Sequence, residues 1–190
     1  MRKIEPLKSK IANLQPGDSF EKKILDSPLS NTSSRCAQTF LELVLTVSTS
    51  FINLPIDQTD AGVNDALRLV GDFAQADRSY VFQLSQNGHT MDNTHEWCAR
   101  SIDSRMHQLQ DIPVSIFPWF HERICRGEVV RVPDVSQLPP EAQAEKTEWQ
   151  KEKIRSIINV PIVCRGTLVG FIGCDAVREK KTWSDDTVSL

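Results

Sequence analysis

The chain has 190 residues, enough for one sizeable core with a tail and short of two full domains. Hydrophobic residues at 39% and charged residues at 25% are ordinary for a folded globular protein. Its 22 basic and 25 acidic side chains leave a net charge near −3, which offers no long-range attraction to a polyanion or an anionic membrane surface, so nucleic acid is not an expected partner.

Cys36, Cys98, Cys125, Cys164 and Cys174 are scattered, form no CxxC pair and fit no zinc spacing. They read as free, mostly buried thiols of a reducing compartment, with no metal bound. The N-terminus lacks the apolar run of a signal peptide, and no stretch approaches the roughly 20 apolar residues needed to cross a bilayer. A cytoplasmic location is expected.

Residues 1–36 are polar and lysine-bearing, are interrupted by Pro6, Pro16 and Pro28, and read as an arm or linker; residues 37–190 read as the folded domain. Phe40, Val44, Val47 and Phe51 recur at helical spacing and predict a helix over residues 40–53. Val63, Ala66, Leu67, Val70, Phe73 and Ala74 form the apolar stripe of a second helix over residues 59–76. Both helices are expected to cover one face of a sheet.

Tyr80-Val81-Phe82-Gln83-Leu84 is β-prone, Asn87-Gly88 suits a tight hairpin turn, and the return strand spans residues 90–99. Pro118 opens a short helix over residues 119–126, Gly127 ends it, and a strand follows over residues 128–132. Residues 141–153 form a helix whose charge run reads as a solvated face, with Glu145 and Trp149 one turn apart. The strongest hairpin joins residues 156–164 to residues 167–177 through Arg165-Gly166, with Pro161 placed at an edge or a bulge. Ser184 caps a last helix that the chain leaves after one turn, at Leu190. The expectation is an excised fragment with an effector domain downstream.

The residues that sharpen this order of elements are Asp77-Arg78-Ser79-Tyr80-Val81-Phe82, Asn93-Thr94-His95-Glu96-Trp97-Cys98-Ala99, Gly127-Glu128-Val129-Val130, Ile157-Ile158-Asn159-Val160-Pro161-Ile162, Gly170-Phe171-Ile172-Gly173-Cys174-Asp175 and Trp183-Ser184-Asp185-Asp186. As a series they resemble the GAF domains of bacterial sensor histidine kinases, hybrid two-component proteins and diguanylate cyclases. The resemblance implies an α+β fold, with a central antiparallel five- to six-stranded sheet and helices on both faces. It also implies a non-catalytic sensor that binds a small ligand or partner and signals through its terminal helices, through which it would form a homodimer.

The resemblance leaves the ligand open. Light-sensing relatives typically attach a bilin through a Cys-His pair on the helix before the Val-Pro-Ile strand, and this chain has neither Cys nor His between Cys125 and Cys164. A covalent bilin is therefore not expected, and no other cofactor is identified. Asp111-Ile112-Pro113 matches a phytochrome tripeptide but reads more simply as a loop turn.

The GAF site is expected on the sheet face opposite the first two helices. Trp97, Trp119 and Phe120 are the candidate apolar walls, and Asn93, His95, Ser156 and Ile158 the candidate inward strand positions. His95, Glu96 and Cys98 lie close in sequence, but strand alternation sends His95 and Trp97 to one side and Glu96 and Cys98 to the other, against a metal or nucleophile site. Two rivals to the sensor remain. One is a dimerisation spacer without ligand, favoured if Trp97 and Trp119 fall on opposite sides of the sheet. The other is a thiol-based reductase of the same fold, disfavoured because no nucleophile is placed beside a base.

Overall fold

The computed structural model describes residues 28–52 and 54–183, with side chains from residue 40 onward. The chain divides into two compact units, Met1–Thr39 and Phe40–Leu190. Helix α1 (Pro28–Ile52) starts earlier than the apolar spacing predicts, so the polar residues 30–34 are helical and not linker. Pro28 suits that start, because its fixed φ is preorganised for a first helical turn and its missing N–H would have had no partner there. The expected C-terminal helix and residues 1–27 lie outside the described residues.

After α1 come α2 (Thr59–Ala74), β1 (Arg78–Leu84), β2 (Thr90–Cys98), β3 (Ile112–Pro113), α3 (Pro118–Cys125), β4 (Val130–Val132), α4 (Gln143–Lys151), β5 (Ser156–Cys164) and β6 (Thr167–Ala176). The strands form one six-stranded sheet in the order β3-β2-β1-β6-β5-β4, with every neighbouring pair antiparallel. The Ile112-Pro113 segment, read from sequence as a loop turn, supplies the short edge strand. Pro161 pairs with Phe171 on β6 at a point where β4 has already ended, so its missing N–H interrupts no ladder on the other side. Arg165 and Gly166 both take positive φ, 50° and 80°, as a two-residue hairpin demands. At the other hairpin only Gly88 of the Asn-Gly pair has positive φ; Asn87 instead accepts a hydrogen bond from His89 N (3.0 Å), which makes a longer loop.

One face of the sheet meets α2. Ser79 Oγ donates to Leu67 O (2.6 Å), and Gly71 lets the helix approach Trp97 closely. Of the two helices expected over this face, α2 supplies the cover. From Phe40 onward α1 meets α2 through Phe40 and Phe73, 6.2 Å between ring centroids, while Leu41, Leu45 and Ile52 stay 56%, 58% and 81% exposed.

The larger core lies on the opposite face, where Tyr80, Phe82, Ile157 and Phe171 pack under Phe120, Ile124 and Trp149. The charge run of α4 is not a wholly solvated face. Glu145 is fully buried and Trp149 is 6% exposed, so the helix turns both toward the core.

The cysteines also depart from expectation. Among the described residues Cys125 and Cys164 are exposed, Cys98 is half-buried and Cys174 is buried; all four are free thiols. Desolvation, with help from nearby carboxylates, pushes Cys98 and Cys174 up to about 12. Iodoacetamide on the native protein at about pH 8 should therefore label Cys125 and Cys164 first and reach Cys98 and Cys174 only after unfolding. Peptide mapping of the labelled sites checks this; Cys174 reacting as fast as Cys164 would mean that the core under α2 is open.

Candidate functional site

Alternation along the strands decides which side chains can meet. On the face away from α2, β1 presents Arg78, Tyr80 and Phe82, β5 presents Ile157 and Asn159, and β6 presents Phe171 and Asp175. From β2 come Asn93 and Glu96, which can share a face because a β-bulge inserts Thr94 where Val81 pairs with His95 and Phe82 with Asn93. Phe117 just before α3, Phe120 on it, Trp149 of α4, Glu152 and Ile154 beyond it, and Leu109 and Ile112 close the space above. The cavity left between these walls is about 60 Å³, room for a few waters or a small organic molecule. Its aromatic lining is rigid: Phe171 stacks on Phe82 and meets Phe120 edge-on, both at 5.0 Å.

The polar groups gather at one end. Arg78 and Asp175 are each 2% exposed; Arg78 Nε donates to Asp175 Oδ1 (3.1 Å), and Nη2 lies 3.0 Å from Oδ2. Glu152 Oε2 is 3.7 Å from Arg78 Nη1. Desolvation pushes Asp175 up to about 7 against the pull of Arg78, and it raises Glu152 as well. Glu96 Oε2 accepts from Ser104 Oγ, Arg105 N and Met106 N, and so pins the loop after β2 to the rim. Tyr80 Oη donates to Asn159 Oδ1 (3.1 Å), and burial raises the phenol well above its usual range. Glu145 sits behind the wall, where its Oε1 accepts from Phe120 N (3.0 Å) and caps the first turn of α3.

Of the residues expected to border one cavity, Asn93 and Phe120 line it. Trp119 lies on the same side of the sheet but outside the lining, half-buried, with the Arg123 guanidinium 4.0 Å above its ring. His95 and Trp97 face α2: His95 Nε2 is 3.3 Å from Asp60, and a methyl at Gly71 would come within 2.3 Å of the Trp97 ring. Ser156 and Ile158 also point that way, Ile158 packing with Ala74, Cys174 and Trp183, and Ser156 Oγ donating to Pro133 O (2.7 Å). Trp97 and Trp119 therefore lie on opposite sides of the sheet and cannot share a cavity.

Two causes explain the misplacement. The bulge at Thr94 reverses the alternation, so Asn93 faces inward and His95 does not. On β5 both faces are buried, and Ser156, Ile157, Ile158 and Asn159 carry apolar and small polar groups on either side, leaving no period-two signal. The charged cluster of Arg78, Glu96, Glu152 and Asp175 was missed as a site. Its signal was an arginine at the head of a β-prone run and an aspartate at the foot of another, residues that belong inside a sheet only when paired.

A six-stranded antiparallel sheet with α2 on one face, α3 and α4 on the other, and a small cavity beneath those two helices is the architecture of an α+β regulatory domain. The chain belongs to the GAF domain family, whose model matches residues 59–190. It is 30% identical over 144 residues to the methanogenesis regulatory histidine kinase FilI of Methanothrix harundinacea (strain 6Ac), a match that covers 73% of this chain and 16% of that protein. The chain thus corresponds to a small part of that relative. In fold it is similar to the blue-light absorbing form of the PixJ GAF domain of Thermosynechococcus elongatus, with TM-score 0.58 and 17% identity over 70% of this chain and 78% of that one. It is also similar to JSC1_58120g3 with bound biliverdin IXa, with TM-score 0.63 and 13% identity over 77% and 89% of the two chains. Among the described residues no helix is long and apolar enough to cross a membrane, and no group of three or more His, Cys, Asp or Glu could hold a metal ion.

Proposed function

We propose that this chain is the sensory GAF domain of a two-component-type signalling protein, in which a small molecule occupies the cavity and the change passes through the terminal helices to an effector outside this chain. The observation that carries the reading is the cavity itself, with aromatic and aliphatic walls and a polar cluster at one end. It takes over the role that the paired tryptophans were expected to play. In this reading the domain holds its ligand and does not transform it: among the described residues no cysteine or serine lines the cavity.

The biliverdin held by JSC1_58120g3 suggests a bilin as another occupant. A space of about 60 Å³ without a lining thiol favours something much smaller. Co-expression with biliverdin should accordingly yield colourless protein. Two observations favour the spacer reading: Trp97 and Trp119 lie on opposite sides of the sheet, and Leu41, Leu45 and Ile52 of α1 are exposed, which would suit a dimer through the terminal helices.

Native mass spectrometry of freshly purified protein and a thermal-shift screen of small metabolites test the sensor reading. Retention of a small molecule, or a melting temperature raised by one class of compounds in the parent and not in an Ile112→Trp variant that fills the cavity, is the expected result. A stable dimer that retains nothing and responds to nothing would leave the spacer.

A further inference from the structure

We infer that the cavity takes a small organic cation, a protonated primary or secondary amine on a short apolar body; the inference rests on the small-ligand reading above. Three observations converge on it.

The first is charge. One guanidinium, Arg78, shares the lining with three carboxylates, Glu96, Glu152 and Asp175. Arg78 is engaged by Asp175 at 3.0 Å, with Glu152 further away at 3.7 Å. Arg105 stands outside the lining and hydrogen-bonds Gln108 Oε1 (2.9 Å). Carboxylates outnumber guanidiniums on the lining three to one, and Arg105, outside the lining, offsets only part of the charge on Glu152, so the site disfavours an anionic ligand and favours a cation.

The second is an acceptor without a donor. Asn93 is 1% exposed, and its Nδ2 donates to Glu96 Oε1 (3.2 Å), which fixes the orientation of the amide because a carboxylate can only accept. Its Oδ1 is buried and has no hydrogen-bond partner, and Asn93 lines the cavity. A buried carbonyl in that state calls for an N–H or O–H, and beside surplus carboxylate an N–H on a cation satisfies both needs at once.

The third is the wall. Phe82, Phe117, Phe120, Trp149 and Phe171 surround the space, and ring faces attract cations in desolvated surroundings. The volume, about 60 Å³, limits the body to a few carbon atoms.

A matched series of probes on the unmodified protein tests this: isobutylammonium, isobutanol, isobutyrate and tetramethylammonium, followed by ligand-observed NMR and by the fluorescence of the wall residue Trp149. Isobutylammonium should bind about tenfold more tightly than the alcohol. Tetramethylammonium, which has no N–H to give Asn93, should be weaker than isobutylammonium, and isobutyrate should not bind. Glu152→Gln, checked for folding by circular dichroism, should weaken isobutylammonium about tenfold and leave isobutanol unchanged. Equal binding of the alcohol or the carboxylate, or indifference to Glu152→Gln, overturns the cation while leaving a small-molecule sensor standing. Failure of every probe, whatever its charge, would overturn the small-ligand reading and the cation with it.

Discussion

Replacing Arg78 by methionine should destabilise the domain by about 3–5 kcal/mol near pH 8, with a distinctly smaller loss near pH 5. Methionine keeps much of the apolar stem and deletes the guanidinium, so Asp175, 2% exposed, is left buried without its cation, and Glu152 loses the same partner. In the parent protein desolvation already holds Asp175 up to about 7, and Arg78 is what restrains it. Without Arg78 the carboxyl titrates higher still. The folded state then keeps a proton at pH values where the unfolded chain, with an ordinary carboxylate, has released it. Stability accordingly falls as pH rises from the ordinary carboxylate range to the folded value, and levels off above it. In the variant that fall continues past about pH 7, where the parent has levelled off, so the gap between the two proteins widens with pH. Urea unfolding at the two pH values measures the gap. A gap as large at low pH would show that Asp175 is not the group left uncompensated.

Gly170→Ala should be nearly as damaging, with a loss of about 3 kcal/mol. Gly170 pairs with Gln83 across β1 and β6, and a methyl there would lie 2.1 Å from Phe82 O and 3.2 Å from Gln83 Cα. Both are backbone atoms of a central strand pair, so relief requires the two strands to part, along with the ladder between them. The neighbouring Val169, 37% exposed, offers a control: Val169→Ala should stay within about 1 kcal/mol of the parent. Urea midpoints of the two variants decide the matter. A Gly170→Ala protein as stable as its control would mean that β1 and β6 are further apart than the register implies.

Five of the six strands could be read from sequence to within a few residues because the signals were local, while the edge strand Ile112–Pro113 was read as a loop turn. Positive-φ residues at Arg165-Gly166, Pro118 at a helix start and Gly127 at a helix end each act within a few residues. The start of α1 was hidden by its composition, since residues 28–36 carry no apolar stripe to extend the one that begins at Phe40. The site was less legible because it depends on which way a side chain points. One extra residue at Thr94 sent His95 and Trp97 to the wrong side, and a strand buried on both faces hid the orientation of Ser156 and Ile158. Asn93 and Phe120 do line the cavity; the three carboxylates around Arg78 come from three separate segments, and nothing local brings them together.

The buried pair on α4 bears on how this segment can change over evolutionary time. Its composition resembles that of a tolerant surface linker, and Gln143, Ala144, Thr147, Gln150 and Lys151 are indeed exposed. Two positions one turn apart are under a different constraint: Trp149 walls the cavity, and Glu145 holds the first turn of α3 through Phe120 N. Substitutions should therefore accumulate unevenly along the helix, with charge drifting freely on the outer positions while Glu145 and Trp149 change rarely or together. A saturation library over residues 143–151 selected for folded protein would show two intolerant columns in an otherwise permissive stretch.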